Sequence, residues 1–294
     1  MSTSGRTGRT GAGVALWLAL ALAGGGCSWL FGPKVELPAN LDEAVANPAI
    51  GARALLRANG TELELAAWQP AVQGLVDALG ERVDPRQLAP LRAAVRRAYG
   101  SQRLYDRTAT GIADDWDADA ARAQLEFMGT RLGRRILGAQ ASRRDPAVVE
   151  RYRAFSASFR ASDYPAARVE LVRRLDRALL TSQGAVLVNH AVLDGALASF
   201  VGALPNPEKA AFGELRTRAA SQESALYPRA ADEVLRWDLF AYDSLSDAEL
   251  ARYAEFAESP AGQWYVVSSS RALRMAANGA AEDLFQALRP RSDL

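Results

Sequence analysis

Cysteine and histidine are nearly absent from this chain of 294 residues, since each occurs once, as Cys27 and His190. A single cysteine excludes an intramolecular disulfide, so the fold must be stabilised by burial of apolar side chains. One histidine and one cysteine also cannot supply the three or four nitrogen and sulfur ligands of a zinc site. We therefore expect no metal site, and because the sequence contains no glycine-rich phosphate loop or other cofactor motif, we expect no cofactor.

A basic excess is also lacking, because 35 lysine and arginine residues face 34 aspartate and glutamate residues. A nucleic-acid-binding protein normally shows a strong basic excess or a concentrated basic stripe. We therefore expect no nucleic-acid partner. The densest basic cluster contains Arg131, Arg134, Arg135, Arg143 and Arg144. We interpret it as the charged outer face of a helix, with contact to anionic lipid as the alternative.

The surroundings of Cys27 predict export. Arg6 and Arg9 precede an apolar segment from Val14 to Ala23, and three glycines then separate this segment from the cysteine. This order of basic, apolar and small residues is typical of a secretory signal. Ten apolar residues form about 15 Å of helix, which is about half the thickness of a bilayer core. A permanent membrane span is therefore not expected here.

The segment resembles the bacterial lipoprotein signal, in which a Leu-small-small-Cys box is acylated and then cut before the cysteine. Two glycines fit the small positions, whereas Gly24 stands where leucine is usual. The resemblance implies a signal peptide at residues 1–26 and lipid attachment at Cys27. With Ser28 after the cysteine, it also implies an outer-membrane anchor that faces the periplasm. Ordinary signal cleavage, which leaves Cys27 as a free thiol, and an uncleaved anchor stay open as alternatives.

From residue 41 onward the sequence predicts helices. Helix-start signals recur in which an oxygen-bearing side chain is followed by a proline at the first helical position, where its missing N–H is not needed. Apolar residues recur with helical spacing, and no run alternates with period two. We predict an all-α protein of roughly ten helices behind a tether at residues 27–40. The start signals are Asn47-Pro48, Asp84-Pro85, Asp145-Pro146 and Asn206-Pro207, together with a capping box from Ser246 to Glu249.

An internal repeat is the strongest organising signal. A glutamate and a phenylalanine, followed six residues later by a glycine, occur twice at an interval of 129 residues, and predicted N-caps precede both copies at the same interval. We therefore predict two helical repeats that share a core, at residues 41–143 and 144–294. The copies are Glu126-Phe127 with Gly133 and Glu255-Phe256 with Gly262, and their caps are Asp117 and Ser246.

The segment from Leu245 to Trp264 resembles the signature of the bacterial family called domain of unknown function 2059. It has a capped helix with aromatic residues, then Ser-Pro-x-Gly, then a further helix. The first copy, from Asp117 to Arg135, is similar but has Thr130-Arg131 in place of Ser-Pro. The resemblance implies an exported all-helical protein, and the family supplies no activity or catalytic residues to transfer.

The Ser-Pro-x-Gly element predicts a joint between two helices. Proline disfavours the helical conformation at the serine before it, and Gly262 permits close approach of another helix. We interpret the joint as a packing element with aromatic side chains on a shared core. A binding surface formed by Phe256, Gly262, Trp264 and Tyr265 is the alternative.

His190 and Asp194 are the main candidates for chemistry. They lie four residues apart and so on the same helical face, and a carboxylate that orients an imidazole is half of a nucleophilic triad. No nucleophile motif accompanies them, and the stretch is mostly apolar. We therefore expect a helix whose polar side chains hydrogen-bond one another. The acidic turn from Asp114 to Asp119 is likewise interpreted as helix capping, with a hard cation as the alternative.

These observations predict a non-catalytic lipoprotein of the cell envelope, held at the membrane by its lipid. It would act by binding a protein or an envelope component. The first alternative is a periplasmic helical carrier or sensor that encloses a small apolar ligand or lipid. The second is a hydrolase that uses His190 and Asp194.

Overall fold

The structure is a computed structural model that describes residues 37–78, 83–206 and 208–289. These residues form fourteen α-helices and three short 3-10 turns, with no strand among them, so the all-α prediction is confirmed. The helices outnumber the roughly ten predicted, in part because Thr130 and Leu180 each divide a helical stretch in two. The predicted signal peptide and Cys27 lie outside the described residues.

The helices follow one another with short connections. The first seven are α1 Leu41–Ala46, α2 Pro48–Ala58, α3 Thr61–Ala78, α4 Pro85–Ala98, α5 Ser101–Ala113, α6 Ala118–Gly129 and α7 Arg131–Ala141. The other seven are α8 Pro146–Ser158, α9 Ala166–Leu179, α10 Thr181–Ala203, α11 Glu208–Ala220, α12 Leu226–Ala241, α13 Asp247–Glu258 and α14 Pro260–Leu288.

The predicted helix starts are found where the described residues include them. Asn47, Asp84 and Asp145 each cap a helix that begins with proline, and their side chains accept hydrogen bonds from first-turn N–H groups. Ser246 forms the predicted capping box at the start of α13. The proline after Asn206 lies outside the described residues, so that start stays a prediction.

Helix α14 is the long central element of the fold. Its 29 residues extend for about 43 Å, and it packs along α10 and against α5 through a face of small side chains. A Cβ on Gly111 of α5 would lie 2.9 Å from the Ala272 Cβ, and a Cβ on Gly195 of α10 would lie 3.0 Å from the Ala281 Cβ. The three helices therefore approach one another as closely as glycine and alanine allow.

Helix α10 is the one helix among the described residues that is long and apolar enough to cross a membrane. That finding rests on length and composition alone. In the fold, α10 lies against α14, α11 and α12. Its side chains Val192, Leu193, Leu197 and Phe200 are buried in the largest hydrophobic core.

An aromatic cluster fixes the position of α12 beside α8. The Trp237 ring packs edge-on against Tyr152, with ring centroids 4.9 Å apart, and Phe240 lies against both. The same helix also packs on α9 and α10. Asp238, the residue after Trp237, is buried in this part of the fold.

Candidate functional site

The two copies of the repeated sequence fold into the same local structure, which we call a corner. The first corner is α6 and α7, and the second is α13 and the first turns of α14. Thr130 and Ser259 break the two corners with nearly identical backbone angles, φ −67° and ψ 162° against φ −67° and ψ 160°. Each hydroxyl donates to the carbonyl of the repeated phenylalanine, at 2.7 Å from Thr130 and 2.6 Å from Ser259. Thr130 therefore has the same role in the first corner as Ser259 has in the second, although no proline follows Thr130.

The repeated glycine lets the two helices of each corner meet. Gly133 and Gly262 donate their N–H groups to the Thr130 and Ser259 hydroxyls, at 2.9 Å and 3.2 Å. A Cβ on Gly133 would lie 2.1 Å from the carbonyl oxygen of residue 127, and one on Gly262 would lie 2.4 Å from that of residue 256. No side chain fits at these distances, so glycine is required at both positions.

The two corners face each other in the structure. The Phe127 and Phe256 rings stack with centroids 3.8 Å apart and planes inclined by 3°. Arg135 of α7 forms an ion pair with Glu249 of α13 and donates to the Ser244 carbonyl at 2.6 Å. The repeats therefore pack directly on each other, although the predicted outer bounds of each repeat stay a prediction.

A cavity of about 440 Å³ lies between the corners. Seven residues of the first corner line it, and each has a counterpart 129 residues later that also lines it. Corresponding residues of the two corners therefore line one cavity. The pairs are Gln124 and Tyr253, Phe127 and Phe256, Met128 and Ala257, Gly133 and Gly262, Ile136 and Tyr265, Leu137 and Val266, and Gln140 and Ser269.

Helices outside the repeated pattern complete the cavity. Trp68 of α3, Val188 of α10 and Trp237 of α12 contribute apolar surface, whereas Asn189 and Asp238 contribute polar groups. The volume and the mixture of aromatic and polar lining are those of sites that enclose small organic molecules. The cavity is therefore the candidate functional site.

Asp238 is the most perturbed acid in the cavity. Its side chain is 7% exposed, and burial raises the pKa of its carboxyl to about 7, with the Arg143 guanidinium acting in the opposite direction and Asp176 adding to the rise. Arg143 lies over the Trp237 ring, 4.5 Å from its centroid. The Asp238 carboxyl therefore changes charge near neutral pH, inside a site lined largely by aromatic rings.

A tyrosine pair lies beside this acid. The Gln140 amide donates to the Tyr242 hydroxyl at 3.1 Å and to the Tyr253 hydroxyl at 3.4 Å. Burial raises the pKa of both phenols above the ordinary range, so both stay protonated at physiological pH. Each hydroxyl can then donate its own hydrogen to an acceptor.

Gln124 is buried with an unsatisfied acceptor. It is 7% exposed, and among the described residues no donor reaches its Oε1. Its counterpart in the second corner, Tyr253, does have a donor, because the Gln140 amide reaches it. The counterpart of Gln140 is Ser269, which is shorter and donates its hydroxyl to the Val266 carbonyl of its own helix at 3.3 Å. A buried acceptor without a donor costs about 1–3 kcal/mol, and the Gln124 oxygen has almost no accessible surface, so it does not open into the cavity.

A strained residue forms part of the cavity wall. Leu180, between α9 and α10, has φ 51° and ψ 32°. This left-handed conformation is unfavourable for residues other than glycine. The Asp176 carboxylate holds the turn, because it accepts from the Ser182 N–H at 2.7 Å and from its hydroxyl at 2.8 Å. Such strain of about 1–3 kcal/mol is often found at ligand sites.

The structure does not bring the four residues predicted at the aromatic joint to one outer surface. Phe256, Gly262 and Tyr265 line the cavity and face inward. Trp264 instead packs edge-on against Trp116, with centroids 5.6 Å apart. The joint is therefore an internal wall, and Trp264 is a packing residue beside it.

The polar side chains of α10 do not form the pair of His190 and Asp194 that the hydrolase alternative requires at the cavity. The Asp194 carboxylate accepts two hydrogen bonds from Arg216, at 2.7 Å and 3.0 Å, so its partner is a guanidinium. Asn189, and not His190, lines the cavity.

The acidic turn and the basic cluster are mostly structural. Asp117 caps α6, and Asp115 pairs with Arg271 at 3.1 Å. Within the described ranges, no group of three or more His, Cys, Asp or Glu residues is placed to hold a metal ion. The basic cluster is not one outer face: Arg131 and Arg134 are exposed, whereas Arg135 joins the corners and Arg143 reaches the cavity.

Comparisons of the chain with protein-family models, with curated proteins and with solved structures give no match. The resemblance to the domain of unknown function 2059 therefore stays a prediction.

Proposed function

We propose that this protein is a non-catalytic binding protein that encloses a small amphipathic organic molecule between its two corners. The observation that carries the proposal is the cavity of about 440 Å³, which corresponding residues of the two corners line. Rings such as Phe127, Phe256 and Trp237 suit an apolar body, and the polar groups of Asn189 and Asp238 suit a polar end.

The sequence adds a location to this proposal. We propose that the mature chain is held by a lipid on Cys27 at the outer membrane and faces the periplasm. A tethered helical protein with an internal cavity suits a carrier or a sensor, since both must hold a molecule without altering it.

A glycine in the cavity wall allows a direct test. Gly184 lies on α10 and lines the cavity, and a Cβ there would meet no atom within 4 Å outside its own helix. Gly213 on α11 has equally open space but does not line the cavity. Leucine at either position raises helix propensity by about 1 kcal/mol relative to glycine, so both variants should fold.

The measurement is native mass spectrometry of the mature protein purified from its own host. The unchanged protein and Gly213→Leu should carry a bound small molecule, whereas Gly184→Leu should carry less of it, because the leucine side chain takes up part of the cavity. Equal occupancy in Gly184→Leu and Gly213→Leu would contradict the proposal. An empty unchanged protein would contradict it as well.

A further inference from the structure

We infer that the molecule enclosed by this cavity carries an organic ammonium group, which Asp238 and the surrounding aromatic rings recognise. The inference rests on the proposed binding function and adds the chemical class of the ligand. The charged groups, the aromatic rings and the hydrogen-bond acceptors of the cavity support it.

The charged groups of the cavity favour a cation. Among the described lining residues the charged side chains are Glu64 on α3, Asp238 on α12 and Arg143 next to α7. Glu64 is exposed, so water screens its charge, and the charged groups left inside the cavity are the Asp238 carboxyl and the Arg143 guanidinium. Asp176 on α9 adds a further negative charge that acts on Asp238. A ligand carboxylate would be repelled by these acids, whereas an ammonium would be attracted.

The aromatic walls favour the same group. Five rings, from Trp68, Phe127, Trp237, Tyr253 and Phe256, line the cavity, and Tyr242 and Tyr265 add two more. A cation over a ring face is attracted by the negative charge density of that face, and more strongly when it is removed from water. An enclosed set of rings beside a carboxylate is the usual environment in which proteins bind organic ammonium ions.

The acceptors in the lining favour a donor on the ligand. An ammonium group has up to three N–H donors and no acceptor. The Asp238 carboxylate and the Asn189 amide oxygen are acceptors among the lining residues, and an ammonium leaves no lone pair of its own unsatisfied in the cavity.

Binding of an ammonium should be coupled to loss of a proton. Because the pKa of Asp238 is raised to about 7, the carboxyl is mostly protonated at pH 6, and an arriving cation favours its ionised form. Binding at pH 6 should then release up to about 0.9 proton per ligand, and binding at pH 8.5 almost none. A neutral ligand of the same shape releases no proton at either pH.

The test uses three probes with one tail and different heads: octylamine, 1-octanol and octanoate. Calorimetry at pH 8 should give a dissociation constant for octylamine at least tenfold below those of the other two. Asp238→Asn should weaken octylamine binding at least tenfold and leave octanol binding unchanged. The matched control is Asp232→Asn, because Asp232 is exposed on the same helix and should have no effect.

Proton release is the second readout. Titration of octylamine at pH 6 in two buffers of different ionisation enthalpy gives the number of protons released, which should be close to one for the unchanged protein and close to zero for Asp238→Asn. Octanol should release none.

The outcomes separate this inference from the proposed function. If octanol or octanoate binds as tightly as octylamine, or if Asp238→Asn binds octylamine as well as the unchanged protein, the ammonium inference is overturned while the binding function stands. If none of the probes binds and the protein from its host is empty, the proposed function fails, and the inference fails with it.

Discussion

Alanine at the corner glycines tests the packing that creates the cavity. In Gly133→Ala, the new Cβ would lie 2.1 Å from the carbonyl oxygen of residue 127 and 2.8 Å from the Met128 Cα. These are main-chain atoms, so no side-chain rotation relieves the clash. Restoring ordinary contact at 3.4 Å requires α6 and α7 to separate locally by about 1.3 Å. Gly138→Ala is the matched control, because Gly138 is on the same helix, is exposed, and has no atom within 4 Å of its would-be Cβ outside that helix.

The expected magnitudes differ in sign. Overpacking typically destabilises by about 1–3 kcal/mol, and a clash with main chain belongs at the upper end. The better helix propensity of alanine offsets up to about 1 kcal/mol of this, which leaves Gly133→Ala destabilised by about 2 kcal/mol. Gly138→Ala keeps only the gain and should be more stable by up to about 1 kcal/mol.

Thermal unfolding followed by circular dichroism measures both variants. A loss of about 2 kcal/mol in a domain of this size lowers the Tm by about 4–8 °C. Gly262→Ala in the second corner should behave like Gly133→Ala, because its Cβ would lie 2.4 Å from a carbonyl oxygen. If Gly133→Ala is as stable as Gly138→Ala, the corners are not packed as described.

Three further predictions concern charge, stacking and location. Burial raises the folded-state pKa of Asp238 to about 7, above an unfolded value near 4, so the folded state holds this proton more tightly and stability falls as pH rises between these values. Each unit of difference in pKa corresponds to about 1.4 kcal/mol. In urea titrations the free energy of unfolding of Asp238→Asn should therefore rise by about 4 kcal/mol relative to that of the unchanged protein between pH 4 and pH 8. A difference that stays constant with pH contradicts this. A double-mutant cycle on Phe127 and Phe256 should give a coupling of about 0.5–1.5 kcal/mol, and additive effects would argue against the stack. Cys27→Ser should abolish labelling by radioactive palmitate, and persistent labelling would exclude lipid attachment at this residue.

Local signals in the sequence predicted much of the fold. The caps at Asn47, Asp84, Asp145 and Ser246 could be predicted because each depends on one side chain and its nearest backbone donors. The repeat was also visible in the sequence, since Gly133 and Gly262 are fixed by a contact within a few residues.

The cavity could not be predicted in the same way. It requires α10 and α12 to lie beside the corners, and it requires Leu180 to adopt a left-handed conformation that its residue type disfavours. Asp238 carried no signal of its own in the sequence, because Glu233, Arg236 and Asp243 lie close to it along the chain. The missing hydrogen bond at Gln124 could not be predicted either. The sequence shows that Gln124 and Tyr253 are counterparts, but it does not show which of the two receives no donor.

The most direct test of the cavity compares two methionines, one inside the cavity and one outside it. Met128 lines the cavity, whereas Met275 is 52% exposed on α14 and lies in a separate, open surface groove. With ¹³C-methyl methionine, each side chain gives its own NMR signal. Addition of octylamine at pH 8 should shift the Met128 signal and leave the Met275 signal in place, with a weaker response of Met128 in Gly184→Leu. A shift confined to Met275, or an unchanged Met128 signal at saturating amine, would contradict an internal ligand site.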